Sequence, residues 1–134
     1  SIGTYDLAPL FDGGPLVIQQ GAQGGYHVDV GGSLGPVPDF GALVIGTLTF
    51  DGLVLASTEG AQVAYSDWAE CQAGFQGARI FMDSTLSGPT LCGFVGQQAT
   101  FDLRVEDLVT ERAYVASYIV LLELVLSSGS CESL

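Results

Sequence analysis

The sequence predicts an all-β fold, an antiparallel sandwich of seven or eight short strands, and three observations carry that expectation. Apolar and polar residues alternate with period two in several runs, β-branched and aromatic residues fill those runs, and glycine or proline separates them at short intervals. The 19 glycines and 5 prolines fall mainly between the runs, at Gly13-Gly14-Pro15, Gly35-Pro36-Val37-Pro38, Gly74, Gly77, Gly88-Pro89 and Gly96. Turns at such spacing belong to sandwiches and barrels.

The first strand is expected over 15–19, followed by Tyr26, Val28 and Val30 on one face of a second strand, with His27 and Asp29 on the other. Residues 43–50 are rich in β-formers, and Asp51-Gly52 links them to 53–56. A two-residue Asp-Gly link between such runs is a strong hairpin signal, because both positions of the tight turn need positive φ. Further strands are expected at 62–66 and 78–83. The clearest alternation is at 99–106, where Ala99, Phe101, Leu103 and Val105 interleave with Thr100, Asp102, Arg104 and Glu106. The last run, 113–126, is apolar on both faces, as expected of a central strand or of one whose outer face meets a partner. A buried helix is the alternative for this run, since periodicity alone does not separate the two.

The length of 134 residues fits a single domain with one core, 1–134, flanked by an N-terminal arm at 1–9 and a polar tail at 127–134. Fifteen acidic residues against three arginines and no lysine give a formal net charge of −12, which repels phosphate backbones and anionic headgroups. Nucleic acid is therefore excluded as a partner. The longest apolar stretch, 114–126, is broken by Ser117 and Glu123 and falls short of the roughly 20 residues of a membrane-spanning helix. Ser1-Ile2-Gly3-Thr4 lacks the basic and apolar regions of a signal peptide, so the chain reads as one already processed for export or one never exported; we expect the first. The joint absence of Lys and Asn points to a GC-rich, bacterial coding sequence, and it removes both Lys-to-Asn isopeptide cross-links and N-linked glycan acceptors.

Three cysteines, none in a CxxC pair, suit an oxidising compartment. Cys71 and Cys92 share the loop-rich middle section, so their pairing is the first expectation. Cys131, in the polar tail, would then be free or available for an intermolecular bond. Three reduced cysteines in a cytosolic chain are the alternative.

Gln23-Gly24-Gly25-Tyr26-His27-Val28 in an early strand, the Asp51-Gly52 hairpin, and Phe101-Asp102-Leu103-Arg104-Val105-Glu106-Asp107 leading to a final strand at 113–124 together resemble immunoglobulin-like or fibronectin-III-like β-sandwich domains of secreted bacterial proteins and lipoproteins. The resemblance spans about residues 10–126. It implies an Ig-like sandwich and a secreted, periplasmic or cell-surface setting. The chain departs from antibody-type domains in that Cys71 and Cys92 are too close for the usual bridge between sheets and Trp68 precedes both.

Chemistry finds few residues to work with. His27 is the only imidazole, its alternation with Tyr26 and Val28 points it outward, and no nucleophile-elbow motif accompanies it, so no catalytic residue is assigned. One His and three scattered Cys make neither a copper nor a structural zinc site. Without a P-loop or a dinucleotide fingerprint, no cofactor is expected. Calcium needs only oxygens, and Asp102, Glu106, Asp107 and Glu111 gather around the last inter-strand turn as a candidate, though not a favoured, site.

Two functions remain. The first is a non-enzymatic extracellular or cell-surface module, structural or interactive, whose edge strands self-assemble into an oligomer or fibre or take a protein partner. Natural sheets usually guard their edges with Lys, and this chain has none. The alternative is a glycan, small-molecule or calcium-dependent binding protein using loop aromatics, with Tyr26, Tyr65 and Trp68 as candidates.

Overall fold

The computed structural model describes residues 2–4, 8–21, 25–34, 41–65, 67–69, 72–127 and 129–131. Two short strands, β1 (Ile2–Thr4) and β2 (Ala8–Pro9), open the chain. They precede β3 (Gly14–Gln20), β4 (Tyr26–Leu34), β5 (Gly41–Phe50), β6 (Leu53–Ala64), β7 (Asp67–Ala69) and β8 (Gln72–Phe81). A short helix α1 (Gly88–Phe94) leads into β9 (Gln98–Asp107) and β10 (Ala113–Val125). The sequence-expected arm is thus partly ordered into the sheet, with Ile2 paired to Gly32 and Gly3 to Gly31.

The strands form one ten-stranded sheet in the order β2-β1-β4-β3-β10-β9-β5-β6, with β8 on β4 and β7 on β8. The sheet curls on itself. β4 joins β3 only at Gln19–His27 and Gln20–Tyr26, then carries β8 across to meet β6 at the isolated bridge Ala56–Met82. Asp83 N–H donating to the Leu55 carbonyl at 2.8 Å holds that approach. The expectation of a purely antiparallel sandwich is corrected here, because β10 runs parallel to β3 over Val120–Gly14 to Val125–Gln19. The antiparallel reading rested on short connections, and no short connection links the third strand to the tenth.

Where local chemistry is strong, sequence and fold agree. Asp51 (φ 50) and Gly52 (φ 81) occupy the positive-φ positions of a two-residue turn, and Phe50 pairs with Leu53 across it. β9 alternates as expected, with Ala99, Phe101, Leu103 and Val105 buried. Two expectations change. The runs expected at 53–56 and 62–66 are joined in one strand, β6, which ends at Ala64, because register shifts opposite β5 absorb the polar stretch between them without leaving the ladder. The Gly88-Pro89 turn is the start of α1, where the Ser87 side chain accepts the Thr90 N–H and proline stands in the first turn, its missing donor costing nothing.

The core lies inside the curl. Leu16, Ile18, Val28, Val30, Leu48, Phe75, Ile80, Phe101, Val120 and Leu122 are almost wholly buried. The walls approach closely: a β-carbon on Gly46 of β5 would fall 2.5 Å from Ile80 Cδ1 of β8. Helix α1 plugs one end with Leu91 and with Phe94, whose ring packs 4.9 Å from that of Phe50.

The cysteine expectation is also corrected. Cys92 is bonded to Cys131, with a Cα–Cα distance of 5.6 Å, so the tail beyond β10 is tied to α1. Gly96 N–H donates to Leu122 O at 2.8 Å, which brings the end of α1 beside β10 and sets the tail within reach of Cys92. Proximity in sequence favoured Cys71, and packing of α1 on β10 favours Cys131. Cys131 is therefore not the intermolecular thiol, and Cys71 lies outside the described residues.

Candidate interaction surface on the last strand

β10 is built as two halves. Even-numbered residues face inward, where Val120 and Leu122 are buried, and odd-numbered residues face out. The hydrogen bonds fix the direction of each backbone group. Arg112 O accepts from Asp107 N–H at 2.8 Å, and Leu122 exchanges bonds with Gln97 O and Gly96 N, so even-numbered residues bond toward β9. Odd-numbered residues direct their N–H and C=O the other way.

From Val120 onward that other side is occupied by β3. At Ile119 the edge is closed by the Asp12 carboxylate, which accepts the Ile119 N–H at 2.9 Å, and by Gly13 N–H, which donates to Ile119 O at 2.7 Å. Before Ile119 no described residue pairs with it. Ala113, Val115 and Ser117 thus present three N–H and three C=O groups at an open edge. Val115 is 65 % exposed and Ile119 50 %, both on the outer face. Tyr114 and Tyr118 lie on the inner face beside the same edge, their hydroxyls hydrogen-bonded to each other. Burial, that bond and the nearby Asp12 carboxylate push the Tyr118 hydroxyl up to about 12.

The outer face continues the surface. Cross-strand register sets Ile45, Arg104 and Val115 in one row and Thr47, Asp102 and Ser117 in the next. Together they line a shallow depression of about 470 Å³. Arg104 is held along the sheet by Glu106, 3.1 Å from its Nε, which leaves apolar Ile45 and Val115 on either side.

The turn that launches β10 is set by a buried carboxylate. Asp107 Oδ1 accepts the Val109 N–H at 3.0 Å, the Thr110 N–H at 2.7 Å and the Thr110 hydroxyl at 3.0 Å, while Oδ2 accepts the Tyr65 hydroxyl at 2.5 Å. Burial opposes the charge, but the Thr110 amide, the Tyr65 hydroxyl and the remaining donors outweigh it, and the Asp107 pKa is lowered. Burial and this same carboxylate push the Tyr65 hydroxyl up.

These contacts decide what the candidate sites can do. Asp107 spends its oxygens on the fold; Asp102 and Glu106 face out on β9, Glu106 toward Arg104; Glu111 is exposed at positive φ. The four acids are not gathered, and among the described residues no group of three or more metal-ligating side chains exists. Tyr65 is buried against Asp107 and offers no ring to a ligand, Tyr26 is half-buried against the core, and the side chain of Trp68 lies outside the described residues. Nothing among the described residues brings the three aromatics together.

His27 is a further correction. It is 3 % exposed rather than outward and accessible, with Gly21, whose N–H donates to Gly25 O at 2.7 Å, beside its ring and the Phe81 ring edge-on to it. Among the described residues its Nε2 makes no hydrogen bond, and Asp29 Oδ1 lies 3.5 Å away. Burial lowers its pKa, assisted by Arg79 and opposed by Asp29.

The open edge itself went unseen in the sequence. Its signal was the double apolarity of 113–126 together with the Asp12 that ends it, and nothing in the sequence links residue 12 to residue 119. Among the described residues no helix is long and apolar enough to cross a membrane. No family model matches this sequence, and no curated protein does either. Among solved structures, the chain is similar to the CooA pilin subunit from enterotoxigenic Escherichia coli at 12 % identity and a TM-score of 0.39, over 93 % of this chain and 99 % of that one.

Proposed function

We propose that this chain is a non-enzymatic structural module of the cell surface or extracellular space that works by contact, associating with copies of itself through the open half of β10. The observation that supports it is the edge at Ala113, Val115 and Ser117, unpaired among the described residues, bearing exposed Val115 and Ile119 and none of the lysines that usually guard such edges. Backbone donors and acceptors in a row add a strand readily, because each new pair satisfies groups that otherwise depend on water. The Cys92–Cys131 bond supports an oxidising, exported setting.

Multi-angle light scattering on the Cys71→Ser chain, across a hundredfold range of concentration, tests this reading. A mass that rises with concentration is expected. A monomer throughout would remove self-association from the account.

A further inference from the structure

The edge carries opposite charges at its two ends. Arg112 stands just before Ala113, and its guanidinium has no ionic partner among the described residues, whereas Arg79 is held by Asp29 and Arg104 by Glu106. Asp12 stands at the other end, beside Ile119. Between them, residues 113–119 carry no charge in a chain of net charge −12. This neutral strip lets two copies approach despite their overall repulsion, and its end charges choose the direction. Parallel pairing would set Arg112 beside Arg112 and Asp12 beside Asp12. Antiparallel pairing sets each Arg112 toward the Asp12 end of the other copy.

Resting on the self-association proposed above, we propose that the open half of β10 pairs antiparallel with the same half of β10 in a second copy of this chain, about a two-fold axis at Val115. Side-chain sizes agree with that register. On the outer face Val115 meets Val115 and Ala113 meets Ser117 of the second copy; on the inner face Tyr114 meets Ala116, so a large ring opposes a small side chain. The outward N–H and C=O groups of Ala113, Val115 and Ser117 fall in hydrogen-bonded pairs, which gives six bonds across the axis. Arg112 lies opposite Tyr118 of the second copy, where its guanidinium can rest on the ring and reach Asp12. Because the same patch is used by both copies, the contact closes at a dimer and does not propagate into a fibre.

Sedimentation equilibrium on the Cys71→Ser chain should show a monomer–dimer equilibrium. Val115→Lys sets like charges opposite each other and should weaken the dimer at least tenfold; Ser117→Pro removes an outward donor without touching the β9 ladder and should do the same. Near-UV circular dichroism confirms that each variant is folded. Val115→Cys should oxidise to a single cross-linked dimer. Association undiminished in both folded variants, or a ladder of larger species from the wild type, would overturn the two-fold pairing while leaving self-association standing. A wild type that stays monomeric at every concentration would overturn both.

Discussion

The two halves of β10 are both apolar but for one residue each, Ser117 and Glu123, and have opposite surroundings. Residues 120–125 pair with β3, with 120–121 also paired to β9 and Leu122 bonded to Gln97 and Gly96, and Val120 and Leu122 are buried, whereas residues 113–118 pair with β9 alone among the described residues and leave Val115 65 % exposed. Apolarity alone does not place a residue in the core; the pairing of its backbone on both sides, and a wall facing its side chain, do. The difference separates stability, which should reside in the second half, from contact, which should reside in the first.

The largest expected effect breaks the anchor of the second half. Cys131→Ser opens a loop that spans 39 residues of separation and should lower stability by roughly 4 kcal/mol in the chain-entropy account, read by urea denaturation. Leu122→Ala empties a fully buried site and should cost about 2–5 kcal/mol, against a change within about 0.5 kcal/mol for Val115→Thr on the same strand. Equal losses at the two positions would erase the contrast between the halves.

A smaller effect is expected at the turn between β9 and β10. Tyr65→Phe leaves the Asp107 carboxylate buried with one donor fewer and should cost about 1–3 kcal/mol. The Asp107 pKa is depressed on folding, so its contribution is present above the unfolded value of 3.8 and is lost as pH falls through the folded one. Removing a donor should therefore raise the pH of the acid-unfolding midpoint. The smallest effect lies at the weak β3–β4 junction, where His27 sits neutral. Its folded pKa lies below the unfolded 6.5, so the unfolded chain takes up the proton first, and stability is complete above 6.5 and declines as pH falls through the folded value. His27→Gln should flatten that decline in a thermal-melt series between pH 7 and pH 5.

Much of the fold was legible where a local rule suffices. The Asp51-Gly52 turn and the alternation of 99–106 declare themselves through backbone sterics and the two-residue period. What escaped depends on contacts distant in sequence. The parallel pairing of β3 with β10, the Cys92–Cys131 bond and the burial of His27 each join segments whose approach is decided by how the sheet curls. The double apolarity of the last run suited a central position or a partner, and residues 120–125, paired with β3, take the first. The acidic quartet failed as a site because a count of oxygens does not say which are already spent, as those of Asp107 are on the Thr110, Val109 and Tyr65 donors.

Amide hydrogen exchange resolved along β10 tests the central claim most directly. At low concentration the amides of Tyr114, Ala116 and Tyr118, bonded to β9, should be protected while those of Ala113, Val115 and Ser117 exchange freely; raising the concentration should protect the second set. Protection of the odd-numbered amides at the lowest concentration, or their free exchange at every concentration, would contradict an open edge that a second copy covers.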